Sequence, residues 1–207
     1  MDKQKKVLIA VPALDMMPVQ TAYSMINLKR ECPSKFSFIV RASCHDARNI
    51  LAREALESDA DLVMWIDSDM VFADDLIVRL GDAIENGWDM VSALFFKREL
   101  PVTPVIYKHI DADTGKAIQY LDYPENALFD VAGCGFGAVM TTADLLRRVQ
   151  AEYGDHLFTP FPKLSEDLSF CYRAKRVGAK IACDSRVKVG HIGLITYGEQ
   201  MYRRPGA

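Results

Sequence analysis

The residues best suited to chemistry in this chain are a few carboxylates and one histidine. Leu62-Val-Met-Trp-Ile66 is an uninterrupted apolar run that stops abruptly at Asp67-Ser68-Asp69. In an extended chain residues i and i+2 point to the same side, so Asp67 and Asp69 can face one ligand together. Two adjacent carboxylates call for positive charge, and a divalent cation bridging phosphate oxygens is the natural partner. The competing reading is a strand running into a turn, with aspartate at a helix start.

A second acidic pair, Glu166-Asp167, follows a loop broken by Pro160 and Pro162. Carboxylates in a first helical turn are favoured by the helix dipole. The same two groups, projected into a cleft, can take the proton of an acceptor hydroxyl. His191 lies between Gly190 and Gly193 just past an apolar segment. It is either structural or able to complete a metal site begun by Asp69. Gly133-Cys134-Gly135-Phe136-Gly137 has the wrong spacing for a dinucleotide fingerprint. It reads as close backbone packing or as a glycine floor beneath a sugar or acceptor. Arg48 and Asn49 stand near a helix start, within reach of a nucleotide. Asp111 and Asp113 repeat the Asp-x-Asp spacing inside an expected hairpin turn, where solvent exposure is expected.

These residues need strands and helices to bring them together. The chain alternates short apolar runs with longer amphipathic ones, the pattern of βαβ units around a largely parallel sheet. Strands are expected at Val7–Pro12, Phe36–Val40, Leu62–Ile66, Asp89–Phe95, Leu128–Val131, Ala138–Met140, Lys180–Cys183 and Val187–Val189. Helices are expected from Pro18 to Lys29, from an Asp46 cap to Glu57, from an Asp74 cap to Asn86, from Thr142 to Ala151 and from Ser165 to Val177. Val105–Lys108 and Ala117–Tyr120 should form a hairpin. One domain over 1–193 with a mobile tail over 194–207 is the expected organisation.

The chain has 207 residues, half of them hydrophobic, which suits one α/β domain with a sizeable core. Its net charge of −3 argues against a general nucleic-acid binder. Five cysteines with no C-x-x-C spacing argue for reduced thiols in a cytoplasmic protein and against a zinc site. The apolar stretch after the charged N-terminus is only a strand's length, so neither a signal peptide nor a membrane span is expected.

In sequence order, Val11-Pro12, Ala47-Arg48-Asn49, Ile66-Asp-Ser-Asp-Met70, Val131-Ala-Gly-Cys-Gly-Phe136, Ser165-Glu-Asp-Leu-Ser-Phe170 with Arg173, and Val189-Gly-His191 together resemble the GT-A glycosyltransferases, the family 2-like group especially. The resemblance implies a GT-A α/β domain and transfer of a sugar from a nucleotide-sugar (UDP- or GDP-linked) to an acceptor of unidentified class. It implies Mn²⁺ or Mg²⁺ held by Asp69 and His191, with Asp67 in the metal shell or on the ribose. Pro12, Ala13, Asp15, Arg48 and Ser68 would bind the donor nucleotide. Gly133, Cys134 and Gly135 would lie under sugar and acceptor. Glu166 and Asp167 would serve the acceptor, with Asp167 as the base of an inverting transfer. Two other functions compete. A nucleotidyltransferase usually has a glycine-rich, basic loop after its first strand, whereas Pro12-Ala-Leu-Asp-Met-Met-Pro18 has neither feature. A non-catalytic nucleotide-sugar-binding module would keep the fold without the activity.

Overall fold

The uninterrupted apolar runs become the inner strands of one sheet. The computed structural model describes residues 5–193 and 196–202. In chain order its elements are β1 (Val7–Ala13), α1 (Val19–Asn27), β2 (Ser34–Val40), α2 (Cys44–Glu57), β3 (Leu62–Ile66), β4 (Met70–Val71), α3 (Leu76–Glu85), β5 (Met90–Leu94), β6 (Ile106–Asp111), β7 (Lys116–Gln119), β8 (Leu128–Asp130), β9 (Gly133–Cys134), β10 (Ala138–Thr142), α4 (Ala143–Tyr153), α5 (Glu166–Arg176), β11 (Ile181–Lys188), β12 (Gly190–Ile192) and β13 (Thr196–Tyr197). A 3-10 turn follows over Glu199–Met201.

The central sheet has the order β2-β1-β3-β10-β5-β11-β8. β2, β1, β3, β5 and β11 run one way; β10 and β8 run against them. β1, β3 and β5 are buried on both faces, as their lack of alternation requires. Period-two side chains then split the core into two layers. Leu8, Ala10, Val63 and Trp65 pack with α2, α4 and α5. Val7, Ile9, Val11, Met64 and Ile66 pack with α1 and α3. β1 pairs with β3 only from Val7 to Ala10, so Pro12 falls beyond that ladder and its missing N–H costs no bond to β3.

Ser165 and Thr142 cap their helices as expected, accepting the amides of Leu168 and Leu145. Two caps differ from the sequence reading. Ser43, not Asp46, caps α2; its hydroxyl accepts the Asp46 amide and donates to the Asp46 carboxylate at 2.6 Å. Asp75 stands at the α3 cap, while Asp74 forms an ion pair with Lys29 at 2.9 Å. The hairpin forms between β6 and β7, and the Asp111 carboxylate accepts from Asp113 and Thr114 inside the turn. All five cysteines are free thiols. Within the segment expected to be a tail, Thr196–Tyr197 pairs with β12. The Tyr202 ring lies 5.5 Å from Phe96 and 5.8 Å from Tyr123. Residues 194, 195 and 203–207 lie outside the described residues.

Two small sheets, β13-β12-β4 and β7-β6-β9, sit beside the central one. In the second, Gly133 pairs with Tyr107 and presses on α5. A Cβ at Gly133 would lie 2.5 Å from Ile110 Cδ1 and 2.7 Å from Cys171 Cβ. Gly133→Ala should therefore cost about 1–3 kcal/mol of stability, the usual penalty of overpacking. Urea unfolding monitors it; an unchanged midpoint would mean that the contact relaxes freely.

Candidate functional site

In open sheets of this kind ligands bind beyond the carboxyl ends of the parallel strands. At that edge a cavity of about 300 Å³ opens between Pro12 and Ala13 of β1, Cys44 and Ala47 of α2, the Asp67-Ser68-Asp69 turn, Arg98 and His191. A larger cavity of about 900 Å³ lies at the opposite ends of β1 and β3, beside Val7 and Leu62. Lys5, Glu31, Asp82 and Glu85 are the charged residues of its lining, and Lys5 pairs with Glu85 at 3.6 Å.

Arg48 is the centre of the site. It is buried on α2, with 1% of its side chain exposed. Nη2 donates to Asp67 Oδ1 at 2.9 Å; Nη1 donates to Glu166 Oε1 at 2.7 Å and to Asp167 Oδ1 at 2.5 Å. The guanidinium lies 5.4 Å from the Phe136 ring. That ring packs edge-on against Trp65, Phe158 and Phe170, so the ion cluster rests on an aromatic floor. Burial alone would lower the Arg48 pKa, but Asp167 and Asp67 outweigh it and keep the group charged. Burial raises the Asp67 carboxyl against the pull of Arg48. It pushes Asp167 up to about 7, again with Arg48 opposing. For Asp167, desolvation thus outweighs the favourable place at a helix start.

A second cluster forms around Asp69. β4 pairs with β12 antiparallel, setting His191 opposite Met70 and thereby beside Asp69. His191 Nδ1 lies 3.0 Å from the Phe96 carbonyl oxygen, which can only accept, so Nδ1 carries the proton. Nε2 faces Asp69 Oδ2 at 3.5 Å. That juxtaposition of an imidazole nitrogen and a carboxylate oxygen is satisfied by a second proton or by a metal ion. The same Oδ2 accepts from Arg98 Nη1 at 2.7 Å. Burial works to raise the Asp69 carboxyl; the His191 and Arg98 interactions outweigh it and hold the group below its ordinary range.

The sequence-predicted residues thus divide. Asp67, Ser68, Asp69, His191, Pro12 and Ala13 share one cavity wall. Glu166 and Asp167 join Asp67 through Arg48. Arg48 does not reach out to a nucleotide: both its terminal nitrogens are spent on carboxylates. Asp15 lies off the cavity wall, exposed and paired with Arg41 at 2.7 Å. The glycine floor is corrected as well. Gly133, Cys134 and Gly135 are all buried, and a Cβ on Gly135 would meet Val105 Cγ1 at 2.7 Å, so protein fills the space a sugar would need. Arg98 was not anticipated. Its one sequence signal is a basic residue directly after the β5 run Met90–Leu94-Phe-Phe-Lys, at a strand's carboxyl end.

Removing the guanidinium strands three partly buried carboxylates. Arg48→Met should destabilise the protein by about 3–5 kcal/mol at pH 7, the usual result of deleting one partner of a buried ion pair. The loss should shrink toward pH 4, as the stranded carboxylates take up protons. Chemical denaturation at both pH values checks this; a loss under 1 kcal/mol would show the cluster to be solvated.

No protein-family model matches the chain, and no curated protein matches it. Solved structures do. A197 from STIV aligns with a TM-score of 0.68 at 17% identity, over 91% of this chain and 86% of that one. GalNAc-T7, in a crystal structure with UDP, GalNAc and Mn²⁺, aligns with a TM-score of 0.64 at 12% identity, over 98% of this chain and 46% of that one. The chain thus spans less than half the length of GalNAc-T7. At these identities the likeness is one of fold, and the fold is GT-A: a mixed α/β domain whose central sheet is flanked by five helices among the described residues.

Proposed function

We propose that this chain is a metal-dependent glycosyltransferase that moves a sugar from a UDP- or GDP-sugar to an acceptor hydroxyl. The observation that carries the reading is the meeting of two acidic pairs from distant parts of the sequence at one end of a GT-A sheet, linked by Arg48. The likeness in fold to a protein solved with UDP and Mn²⁺ supports it. Among the described residues no group of three or more His, Cys, Asp or Glu side chains is placed to hold a metal ion. Asp69 Oδ2 and His191 Nε2 nevertheless form a donor pair that suits Mn²⁺ or Mg²⁺, with diphosphate oxygens completing the coordination. Bound there, the metal would supply positive charge where negative charge builds on the leaving diphosphate.

The residues divide the work as follows. Pro12, Ala13 and Ser68 line the nucleotide side of the cavity, and Asp67 meets the ribose or the metal shell. The bond between the sugar's anomeric carbon and the diphosphate oxygen breaks, and a bond to the acceptor oxygen forms. Asp167 takes the acceptor proton. Its Oδ1 is held by Arg48, and its Oδ2 has only a 3.3 Å contact to the Phe136 amide, leaving capacity to accept. Glu166 orients the acceptor beside it. Among the described residues no helix is long and apolar enough to cross a membrane. Action on acceptors in the cytoplasm is part of this proposal.

Thermal unfolding with UDP, GDP and their sugars, with and without Mn²⁺, tests donor binding. A ligand at 100 times its Kd adds about 2.7 kcal/mol. A shift with one base that requires Mn²⁺ is expected, and Asp69→Ala should lose it while unfolding as wild type does without ligand. An Asp69→Ala protein that keeps the metal-dependent shift would move the site elsewhere.

Asp167→Asn should keep that shift and lower transfer by about 10²–10⁴-fold. In the wild type, transfer should rise with pH and level off above about 7, where Asp167 is ionised. The folded pKa lies above the ordinary 3.8, so this group's stabilising effect is complete below about 4 and lost as pH rises through about 7. The stability gap between wild type and Asp167→Asn should follow that course. Undiminished transfer by Asp167→Asn would exclude it as the base.

A further inference from the structure

Arg98 stands outside the roles assigned above, yet it holds the oxygen that matters most on the donor side. It sits on a short loop after β5, closed where Phe96 bridges Pro104 and the Lys97 amide donates to the Thr103 carbonyl at 2.9 Å. Its flanking residues, Lys97 and Glu99, pair with each other at 3.5 Å. Arg98 alone turns into the cavity. Nη1 lies 2.7 Å from Asp69 Oδ2 and 3.4 Å from the Ile192 carbonyl. About half of the side chain is exposed, so its long stem has room to swing.

Asp69 Oδ2 thus faces two partners at once, the Arg98 guanidinium and His191 Nε2. A divalent cation bound between Asp69 and His191 would draw on the same carboxylate that Arg98 now holds at 2.7 Å, and its charge would repel the guanidinium and weaken that pair. Once displaced, Arg98 is a loose fork of N–H donors on the cavity wall, beside the place where a metal-bound diphosphate would lie. Paired oxygens of a phosphate are what that fork fits best.

We propose that Arg98 is a donor-binding residue that trades partners. It neutralises Asp69 until a metal–diphosphate unit arrives, then moves its charge from the carboxylate to the diphosphate. The proposal rests on the glycosyltransferase reading and deepens it. It makes metal and nucleotide binding cooperative, because the metal alone must displace Arg98 without compensation, whereas the metal with a diphosphate gives Arg98 a new anion. Coupling of this kind is typically about 5–150-fold.

The test is Mn²⁺ binding, followed by the electron paramagnetic resonance signal of the free ion, for wild type, Arg98→Ala and Arg98→Lys, each with and without UDP and, in parallel, GDP. Calorimetry measures nucleotide binding at saturating Mn²⁺. Wild type should bind Mn²⁺ weakly alone and at least about tenfold more tightly with the preferred nucleotide. Arg98→Ala should bind Mn²⁺ alone about tenfold more tightly than wild type, gain little from nucleotide, and bind the nucleotide about tenfold more weakly. Arg98→Lys, which keeps the charge, should stay close to wild type in the coupling. Isotherms of Arg98→Ala that superimpose on those of wild type would overturn the proposal. So would weaker Mn²⁺ binding by Arg98→Ala alone, which would make Arg98 a support of the metal site and not its competitor. If wild type binds neither Mn²⁺ nor either nucleotide, the donor-site reading itself falls, and the Arg98 proposal falls with it.

Discussion

One buried guanidinium organises the carboxyl edge of this sheet. Arg48 takes a carboxylate from the turn after β3 and two from the start of α5, at sequence separations of 19, 118 and 119. A buried charge is tolerated only when paired, and an acidic cluster at a strand edge repels itself unless something cationic stands within it. Arg48 meets both requirements at once. Its Nε has no hydrogen-bond partner, so the side chain is not fully satisfied. Such a defect is kept where the gain lies in positioning, and here the gain is a fixed spacing between the turn after β3 and the carboxylates at the start of α5.

The second constraint is topological. β10 is inserted antiparallel between β3 and β5, and β11 returns parallel beside β5. The chain leaving β11 is thereby carried to the carboxyl edge of the sheet, where β12 pairs with β4. His191 reaches Asp69 because of that crossing, and the Phe96 carbonyl then fixes which ring nitrogen carries the proton. The fold thus brings a carboxylate and an imidazole together at the carboxyl edge of the sheet.

Much of this was legible in the sequence. Residues 62–66 are apolar at every position, as suits a short strand buried on both faces, and two aspartates stand at its carboxyl end. Ser165 and Thr142 announced their helices by local capping chemistry. What could not be read is whatever depends on distant partners. Arg48 looked like a helix-start residue free to reach a ligand, because nothing near it in sequence reveals three carboxylates, two of them more than a hundred positions away. Gly133 and Gly135 look alike whether a ligand or a side chain fills the space beside them, and Ile110, Cys171 and Val105 fill it. Asp46 and Ser43 are both good caps at nearly the same place, and backbone geometry chose the earlier one.

The shared guanidinium also limits how this site can be taken apart. Asp67 and Asp167 come from distant parts of the chain, but in both burial raises the carboxyl and Arg48 opposes the rise. Neutralising Asp67 or Glu166 removes a repulsion that raises the Asp167 carboxyl, so that carboxyl falls and its hold on Arg48 tightens. Effects of substitutions at Asp67, Glu166 and Asp167 therefore cannot add as those of distant sites do. A double substitution should cost less than the sum of its parts, since the second removal acts on a cluster already relieved of one repulsion. The two acidic pairs are separate in sequence and joined in electrostatics, because the fold brings Asp67 of one and both members of the other to a single buried cation.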